Sequence, residues 1–308
     1  MIKMTNVTKQ YGDFAAVKKL SLTVNQAEFL VVLGPSGCGK STLLRLINKM
    51  IERDEGEIQV GGVNIDELKG EELRKTIGYV IQSIGLFPHM DVKKNIGIVP
   101  HLLKWEENKI NKRVDEMLLL VGLETEVYKN KRPNELSGGE AQRIGVARAI
   151  ASDPEILLMD EPFGAVDPIN RLRLQKEFRK IQRKLKKTVV FVTHDIDEAL
   201  LLADRICIMN QGEILQIATP EKMLLHPKND FVKEFFKGEG ILTILSRKLA
   251  VDYAEPTILV GEPLDENATL RDVLTEMLLR GEEMITLING SISWEKILKI
   301  AGSEINEF

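Results

Sequence analysis

Cysteine is scarce in this sequence. The chain of 308 residues has two, Cys38 in a glycine-rich loop and Cys207 in the apolar run "RICIM". Two thiols exclude the disulfide framework of a small secreted domain. Reduced cysteines in a cytosolic protein are the simpler interpretation.

Long apolar runs and an excess of positive charge are also missing. Stretches such as "FLVVLG" and "EILLM" are far shorter than the roughly 18 residues that cross a bilayer. The N-terminus "MIKMTNVTKQ" has no apolar signal core, so we expect the chain to stay in the cytosol. With 42 Lys and Arg against 46 Asp and Glu, the net charge is −4. No overall basic field attracts nucleic acid or anionic lipid, and we expect no nucleic-acid partner.

Hydrophobic residues at 44% and charged residues at 29% are typical of a folded globular protein. The length predicts two domains, since a domain typically has roughly 100 to 200 residues. Three apolar runs predict strands buried on both faces of a parallel sheet: "FLVVLG", "EILLMDE" and "TVVFVTH". Helical segments separate these strands, which indicates an α/β core.

Helical pattern dominates residues 85–153, which we interpret as an insertion in that core. A further helix is predicted over 167–185, with Asp167 as N-cap and Pro168 in the first turn. Its apolar positions predict one buried stripe, formed by residues 169, 172, 174, 178, 181 and 185. The sequence changes character around 237–248, and the tail then predicts a helix, a strand, a turn at Asn289-Gly290, a strand and a helix.

The stretch "GPSGCGKST" matches the phosphate-binding P-loop pattern and lies between a buried strand and a helix. Its glycines let backbone N–H groups face phosphate oxygens, and the helix N-terminus adds positive charge. Lys40 is placed to reach the β and γ phosphates, and Ser41 to bind Mg²⁺. The predicted nucleotide-binding residues are Gly34, Pro35, Ser36, Gly37, Cys38, Gly39, Lys40, Ser41 and Thr42.

Acidic residues end a second buried strand, "ILLMDE". Asp160 is suited to the Mg²⁺ shell, and Glu161 to deprotonating a water that attacks the γ-phosphate. His194 ends a third strand, at the edge of the sheet where ligands gather. Taken alone, a histidine in such a place is more often structural.

A second glycine-rich segment, "LSGGEAQR" at 136–143, looks made to hold a phosphate although a complete P-loop lies about a hundred residues earlier. A serine hydroxyl and the start of the following helix are suited to binding an anion. A plain helix N-cap by Ser137 is the alternative.

Together these motifs resemble the ATP-binding subunit of an ABC transporter over residues 1–237. The ordered set is "GPSGCGKST", "YVIQ", "LSGGEAQR", "ILLMDE", "GAVD" and "TH". The resemblance implies a P-loop NTPase with an antiparallel β subdomain, a helical subdomain over about 85–153 and a C-terminal module over 238–308. It further implies a head-to-tail pair, in which Ser137, Gly138 and Gly139 of one copy close on the γ-phosphate held by the other.

The same resemblance assigns roles to four further side chains. Gln82 would reach Mg²⁺ and the attacking water, and Asp167 would join the nucleotide site. His194 would contact the γ-phosphate, and Tyr11 would stack on adenine, although an aromatic residue there also fits simple packing.

Stretches such as "IGYVIQSIGLFPHM" and "MDEPFGAVDPINR" resemble importers of glycine betaine, carnitine, choline and proline betaine. The implied partners are membrane-spanning permease subunits and, indirectly, an extracytoplasmic substrate-binding protein. The chain would then lie on the cytoplasmic face of the membrane. Leu86, Phe87, Pro88 and Met90 are the predicted permease contact, although apolar residues there also fit a cap on the core. Residues 261–302 resemble one CBS repeat, which is interpretable as regulatory or as a dimerisation or structural module.

Two alternatives stay open at this point: import of another small solute, and a soluble ABC ATPase that acts on ribosomes or DNA. The second rests on basic residues spread over the helix at 167–187, which are also interpretable as a solvated face. These residues are Arg171, Arg173, Lys176, Arg179, Lys180, Arg183, Lys184, Lys186 and Lys187.

Overall fold

The structure is a computed structural model. It describes residues 1–81, 85–164, 166, 168–237, 245, 248–256 and 262–305, and for 168–170 and 301–305 it describes the backbone alone. The chain divides into two compact units, one formed by 1–195 with 202–217 and the other by 196–201 with 218–308. The domain boundary expected at residue 237 stays a prediction.

The chain contains the following strands and helices among its described residues. The strands are β1 (Ile2–Tyr11), β2 (Phe14–Val24), β3 (Phe29–Leu33), β4 (Glu55–Val60), β5 (Val63–Asn64), β6 (Ile77–Val80), β7 (Ile156–Asp160), β8 (Thr188–Thr193), β9 (Arg205–Asn210), β10 (Glu213–Ala218), β11 (Met284–Leu287) and β12 (Gly290–Ser293). The helices are α1 (Lys40–Ile47), α2 (Gly70–Lys75), α3 (Val92–Leu102), α4 (Glu107–Leu120), α5 (Thr125–Tyr128), α6 (Gly138–Ala151), α7 (Pro168–Leu185), α8 (Ile196–Leu202), α9 (Pro220–Leu225), α10 (Asp230–Phe235), α11 (Leu270–Arg280) and α12 (Trp294–Ile305). Short 3-10 turns cover Ile65–Glu67, Pro133–Glu135 and Ala250–Tyr253.

Two sheets form the first unit. An antiparallel sheet has the order β2-β1-β4-β5, and a six-stranded sheet has the order β10-β9-β3-β8-β7-β6. Strands β3, β7 and β8 are the apolar runs predicted to be buried, and every residue in them is buried. Because β3, β8 and β7 are parallel neighbours, their carboxyl ends meet at one edge of the sheet. That edge carries all three of the predicted strand-end sites.

Aromatic packing fixes the loop that follows β7. The Phe163 ring lies 5.8 Å from the Phe191 ring on β8 and 6.3 Å from the Phe178 ring on α7, measured between centroids. Phe29 on β3 joins the same cluster, with its centroid 5.7 Å from that of Phe191. The segment after Asp160 is therefore anchored in the core three residues beyond the strand end.

The insertion predicted over 85–153 is helical, as expected, with α3, α4, α5 and α6 packed together. Helix α7 begins at Pro168 and ends at Leu185, also as predicted. The predicted N-cap Asp167 lies outside the described residues.

Among the side chains that the structure describes, the buried stripe of α7 was predicted wrongly at Leu172. Leu174 and Phe178 are buried, but Leu172 is 48% exposed. Leu172 precedes Leu174 by two residues, or about 200° of helix rotation, so its side chain lies on the opposite face. Gln175 and Gln182 are buried on the stripe instead, and Gln182 Nε2 donates to Lys187 O at 2.7 Å and Ala27 O at 3.0 Å.

In the second unit the tail has the predicted order of helix, strand, turn, strand and helix. Strands β11 and β12 pair antiparallel around Asn289-Gly290. Thr269 caps the start of helix α11, since its hydroxyl accepts from the Asp272 N–H at 3.2 Å, and Gly281 in the left-handed region caps its end. A separate apolar cluster includes Leu270, Met277, Leu287 and Ile292, so this module has its own core. In the part of the chain that the structure describes, no helix is both long and apolar enough to traverse a bilayer.

Candidate nucleotide site

The P-loop follows β3 and makes backbone approaches that only glycine permits. A Cβ atom on Gly34 would lie 2.1 Å from Met209 O, and one on Gly39 would lie 2.2 Å from Ala16 O. Gly39 also has a φ of 106°, and helix α1 begins at the next residue, Lys40. The loop is therefore locked between β3, β9 and β2 and presents the start of α1 to the sheet edge.

Lys40 is nearly buried, with 6% of its surface exposed. Its ammonium donates to Gly34 O at 2.6 Å and to Pro35 O at 2.9 Å. These bonds hold the positive charge inside the curve of the loop, where phosphate oxygens would meet it. The Cys38 side chain is buried in the core, and burial raises the pKa of its thiol. Cys38 therefore contributes backbone rather than a reactive thiolate.

Asp160 and Ser41 bring two oxygen donors together. Ser41 Oγ donates to Asp160 Oδ1 at 3.1 Å, although the two residues belong to α1's first turn and to the end of β7. Burial is the main cause that raises the pKa of Asp160, while the Ser41 hydrogen bond opposes it. A buried carboxylate beside a hydroxyl is suited to a hard cation that compensates its charge. Among the described residues, no group of three or more His, Cys, Asp or Glu could hold a metal ion by itself.

Glu161 follows Asp160 with a positive φ of 43°, an uncommon conformation for a residue with a side chain. Its N–H donates to Val192 O of the neighbouring strand at 2.9 Å, and its own carbonyl accepts from Gly164 N–H at 3.2 Å. These two bonds hold the backbone in that conformation. The carboxylate is thereby turned out of the strand direction at the sheet edge.

His194 lies beside Glu161, as their places at neighbouring strand ends predict. Its Nδ1 is 3.2 Å from Glu161 Oε1. The histidine side chain is 62% exposed and the glutamate side chain 20%. An exposed imidazole thus lies next to a largely buried carboxylate. This arrangement is suited to orienting a water and accepting its proton.

Ser137 caps helix α6. Its Oγ accepts from Glu140 N–H at 3.3 Å, and Glu140 Oε2 accepts from Ser137 N–H at 2.7 Å. Ser137 and Gly138 are nevertheless exposed. Ser137 is therefore an N-cap, and the exposed serine and helix N-terminus are also suited to an anion from outside.

Three further predicted site residues are Tyr11, Gln82 and Asp167. Tyr11 ends β1 and is 48% exposed, with Lys9 Nζ 5.5 Å from its ring centroid. An exposed ring of this kind is free to stack on a base. Gln82 and Asp167 lie outside the described residues.

Phe87, in the predicted permease contact, is 38% exposed. Hydrogen bonds from a buried side chain of α3 fix the loop that carries it. Fully buried Asn95 of α3 accepts from Phe87 N–H at 2.8 Å. Its amide also donates to Phe87 O, Met90 O and Asp91 O at 3.2, 3.1 and 3.0 Å. The sequence analysis missed Asn95, since a polar residue inside a helix gives no signal of its partners.

The sequence analysis also missed Tyr128, whose hydroxyl donates to Glu140 Oε1 at 2.6 Å. The Ser-x-x-Glu spacing from Ser137 to Glu140 is a capping-box signal and would have revealed half of this arrangement. Tyr128 itself is nine residues before Ser137, so no local pattern connects the two.

Comparison with known proteins places this chain in a family. The ABC transporter family matches residues 17–164. The glycine betaine uptake system ATP-binding protein YehX of Escherichia coli K12 is 47% identical over 291 residues, which cover 94% of this chain and 94% of that protein. The glycine betaine/carnitine/choline transport ATP-binding protein OpuCA of Bacillus subtilis 168 is 53% identical over 243 residues, 79% of this chain and 64% of OpuCA.

A solved structure gives the same result. The dimeric, post-hydrolysis state of the ATP-binding cassette MJ0796 bound to ADP and Pi is 34% identical, with a TM-score of 0.65. The match covers 71% of this chain and 99% of the MJ0796 chain. The chain belongs to the ATP-binding proteins of ABC transporters, and it is an ATPase. The predicted fold class is thereby confirmed for the ATPase part.

Proposed function

We propose that the chain is the ATP-hydrolysing subunit of an importer for quaternary-amine osmoprotectants such as glycine betaine, carnitine, choline and proline betaine. The likeness to YehX over 94% of both chains is the observation that carries this proposal. OpuCA, another similar relative, is also named for this solute class. Solute choice would belong to the permease and the binding protein, with this chain supplying the energy.

The chemistry follows from the sheet edge. Residues 34–42 bind the phosphates of ATP, with Lys40 on the β and γ groups, and Tyr11 stacks on adenine. Mg²⁺, when bound by Ser41, Asp160 and Gln82, would neutralise phosphate charge. Glu161 accepts the proton of the attacking water, and His194 holds the Glu161 carboxylate and contacts the γ-phosphate.

The second half of the site comes from another copy of the chain. Ser137, Gly138 and Gly139 are exposed or half-exposed at a helix N-terminus, which suits a phosphate delivered from outside. The dimeric state of MJ0796 with ADP and Pi supports such a pair. Asp167 would join each composite site.

Membrane-spanning permease subunits would receive the resulting movement through Leu86, Phe87, Pro88 and Met90. The exposed Phe87 ring supports this contact, since the loop beneath it is held by Asn95. The chain would then lie at the cytoplasmic face of the membrane, with a substrate-binding protein on the other side. Residues 261–302 would form a CBS-like regulatory module.

The alternative of a nucleic-acid partner rested on the positive charge of basic residues on and just after α7, and salt bridges offset part of that charge. Arg171 lies 3.4 Å from Asp195 and Lys187 lies 2.8 Å from Asp153, and Arg179 pairs with Asp204. Three of the nine basic residues that suggested it are thus paired with acids of the same unit, which reduces the charge left for a polyanion.

Transport by the purified complex tests the proposal. The tagged full chain would be expressed in its host, and the proteins that copurify would be reconstituted in proteoliposomes with the substrate-binding protein. We expect a permease to copurify, and ATP-driven accumulation of labelled glycine betaine that unlabelled choline or carnitine suppresses. Glu161→Gln should abolish accumulation without releasing the permease. Copurification of ribosomes or DNA without a permease would contradict the proposal, and accumulation of unrelated solutes alone would refute its solute class.

A further inference from the structure

Both carboxylate oxygens of Glu140, at the start of α6, accept hydrogen bonds. Oε2 accepts from Ser137 N–H at 2.7 Å, and Oε1 accepts from the Tyr128 hydroxyl at 2.6 Å. In return, the Glu140 N–H donates to Ser137 Oγ at 3.3 Å. The Ser137 side chain is also a hydrogen-bond partner of the Glu140 carboxylate, and this contact lowers the pKa of that group. Glu140 thus contacts both the backbone and the side chain of Ser137.

Tyr128 is a fixed anchor rather than a mobile surface side chain. The backbone that follows it is bound to the start of α3, since Lys129 O accepts from Lys93 N–H at 3.0 Å and Lys131 O accepts from Val92 N–H at 2.9 Å. Lys131 Nζ also lies 4.3 Å from the Tyr128 ring centroid. The phenol hydroxyl therefore reaches Glu140 from a segment that is tied to another helix.

The charge of Glu140 makes this anchor important. A carboxylate in the first turn of α6 lies beside the surface that would receive a phosphate, and two like charges repel. The hydrogen bond from Tyr128 is the largest cause that lowers the pKa of Glu140, and the same contact raises the pKa of Tyr128. Without the phenol, Oε1 would lose its donor, and the ionised group would be free to turn toward the phosphate.

We propose that Tyr128 and Glu140 are positioning residues for Ser137, and that they hold its hydroxyl where it meets the γ-phosphate bound by the second copy. They act through Ser137, because their contacts are with it and with each other. The inference rests on the proposed function, in which two copies share each nucleotide.

ATP-dependent dimerisation of the full chain tests the inference. In a Glu161→Gln background, the ATP concentration for half-maximal dimer would be measured by analytical ultracentrifugation. We expect Tyr128→Phe and Glu140→Ala each to raise it about fivefold to tenfold, the effect of one lost hydrogen bond. The double variant should shift it no further than Glu140→Ala alone, since both changes break one arrangement. Glu140→Gln should stay near the parent value, because the amide accepts from Ser137 N–H and donates to the Tyr128 oxygen.

Two controls separate positioning from general damage. Tyr253→Phe removes a phenol hydroxyl in the second unit and should leave dimerisation unchanged. Binding of a fluorescent ATP analogue to the monomer should be unaltered in Tyr128→Phe. Unchanged dimerisation in Tyr128→Phe, or effects of the two changes that simply add, would overturn the inference. Tyr128→Phe decides the matter alone if Glu140→Ala does not fold.

Failure of the proposed function would look different. If the parent Glu161→Gln chain does not dimerise with ATP at any concentration, the two-copy site itself is wrong, and the inference is overturned with it. If the parent dimerises and Tyr128→Phe behaves like the parent, the two-copy site stands and the positioning role alone is overturned.

Discussion

Glu161 lies where the ends of two neighbouring strands meet, with a backbone φ of 43° and His194 Nδ1 at 3.2 Å from its carboxylate. Replacing it with glutamine keeps the shape but removes the base. We predict that Glu161→Gln lowers ATP turnover about 100-fold to 10 000-fold while ATP is still bound. Phosphate release and nucleotide binding measure the two effects.

Glu155→Gln is the matched control, since Glu155 is exposed and precedes the other end of β7. It should turn over ATP like the parent chain. Normal turnover in Glu161→Gln would remove Glu161 from its proposed role.

Asp160 should cost the nucleotide-free protein some stability. Burial raises its pKa in the folded chain above the unfolded value, so the folded state is penalised at neutral pH, where the group must ionise. The penalty is absent below the unfolded pKa of about 4 and is complete above the folded pKa. We predict that Asp160→Asn raises the free energy of unfolding at pH 7, and that this gain disappears as the pH falls through that window.

Denaturant titrations of both chains at several pH values measure this difference. Asp160→Asn should also lose Mg²⁺-dependent turnover, since an amide cannot supply the negative charge that a cation requires. Equal stability of the two chains at pH 7, or a gain that grows toward acid pH, would contradict the account.

The loop carrying Phe87 depends on one amide of α3. Asn95 is fully buried and makes four hydrogen bonds to residues 87–91. We predict that Asn95→Ala lowers the free energy of unfolding by about 1–3 kcal/mol, because the loop's polar groups lose their partners. Thermal and denaturant unfolding measure this loss.

Phe87→Ala is the comparison, since it removes an exposed ring and leaves the Asn95 bonds in place. It should change the unfolding free energy by less than about 0.5 kcal/mol and lower copurification of the permease. A Phe87→Ala chain that binds the permease like the parent would argue against this loop as the contact.

Helix α7 shows what local pattern can and cannot predict. The Asp167-Pro168 pair indicated where the helix begins. The helical spacing of apolar residues predicted two of its buried positions, Leu174 and Phe178. It failed at Leu172, and it missed Gln182, whose amide is satisfied by the carbonyl of Ala27 far along the chain. Burial of a polar side chain depends on such distant partners, which periodicity does not contain.

The nucleotide site was more predictable because strand ends converge in a parallel sheet. Asp160, Glu161 and His194 each end a buried strand, and the structure joins them as that rule requires. Tyr128 was missed since its contact with Glu140 depends on how α5 packs against α6. Family resemblance supplied the roles of Ser137, Gly138 and Gly139, which remain proposals.

At the scale of the whole molecule, the chain has two compact units with separate cores. The first contains the nucleotide site, and the second ends in the small α/β module. The central claim is that one chain provides half of each working site, with the phosphate cradle in one copy and Ser137 in the other.

The dependence of ATPase rate on chain concentration tests that claim most directly. Phosphate release per chain would be measured at saturating Mg²⁺-ATP over a dilution series of the full chain. The account predicts that the rate per chain rises with concentration to a plateau and falls toward zero on dilution, as expected when two chains must associate. A rate per chain that stays constant down to the most dilute sample would contradict it.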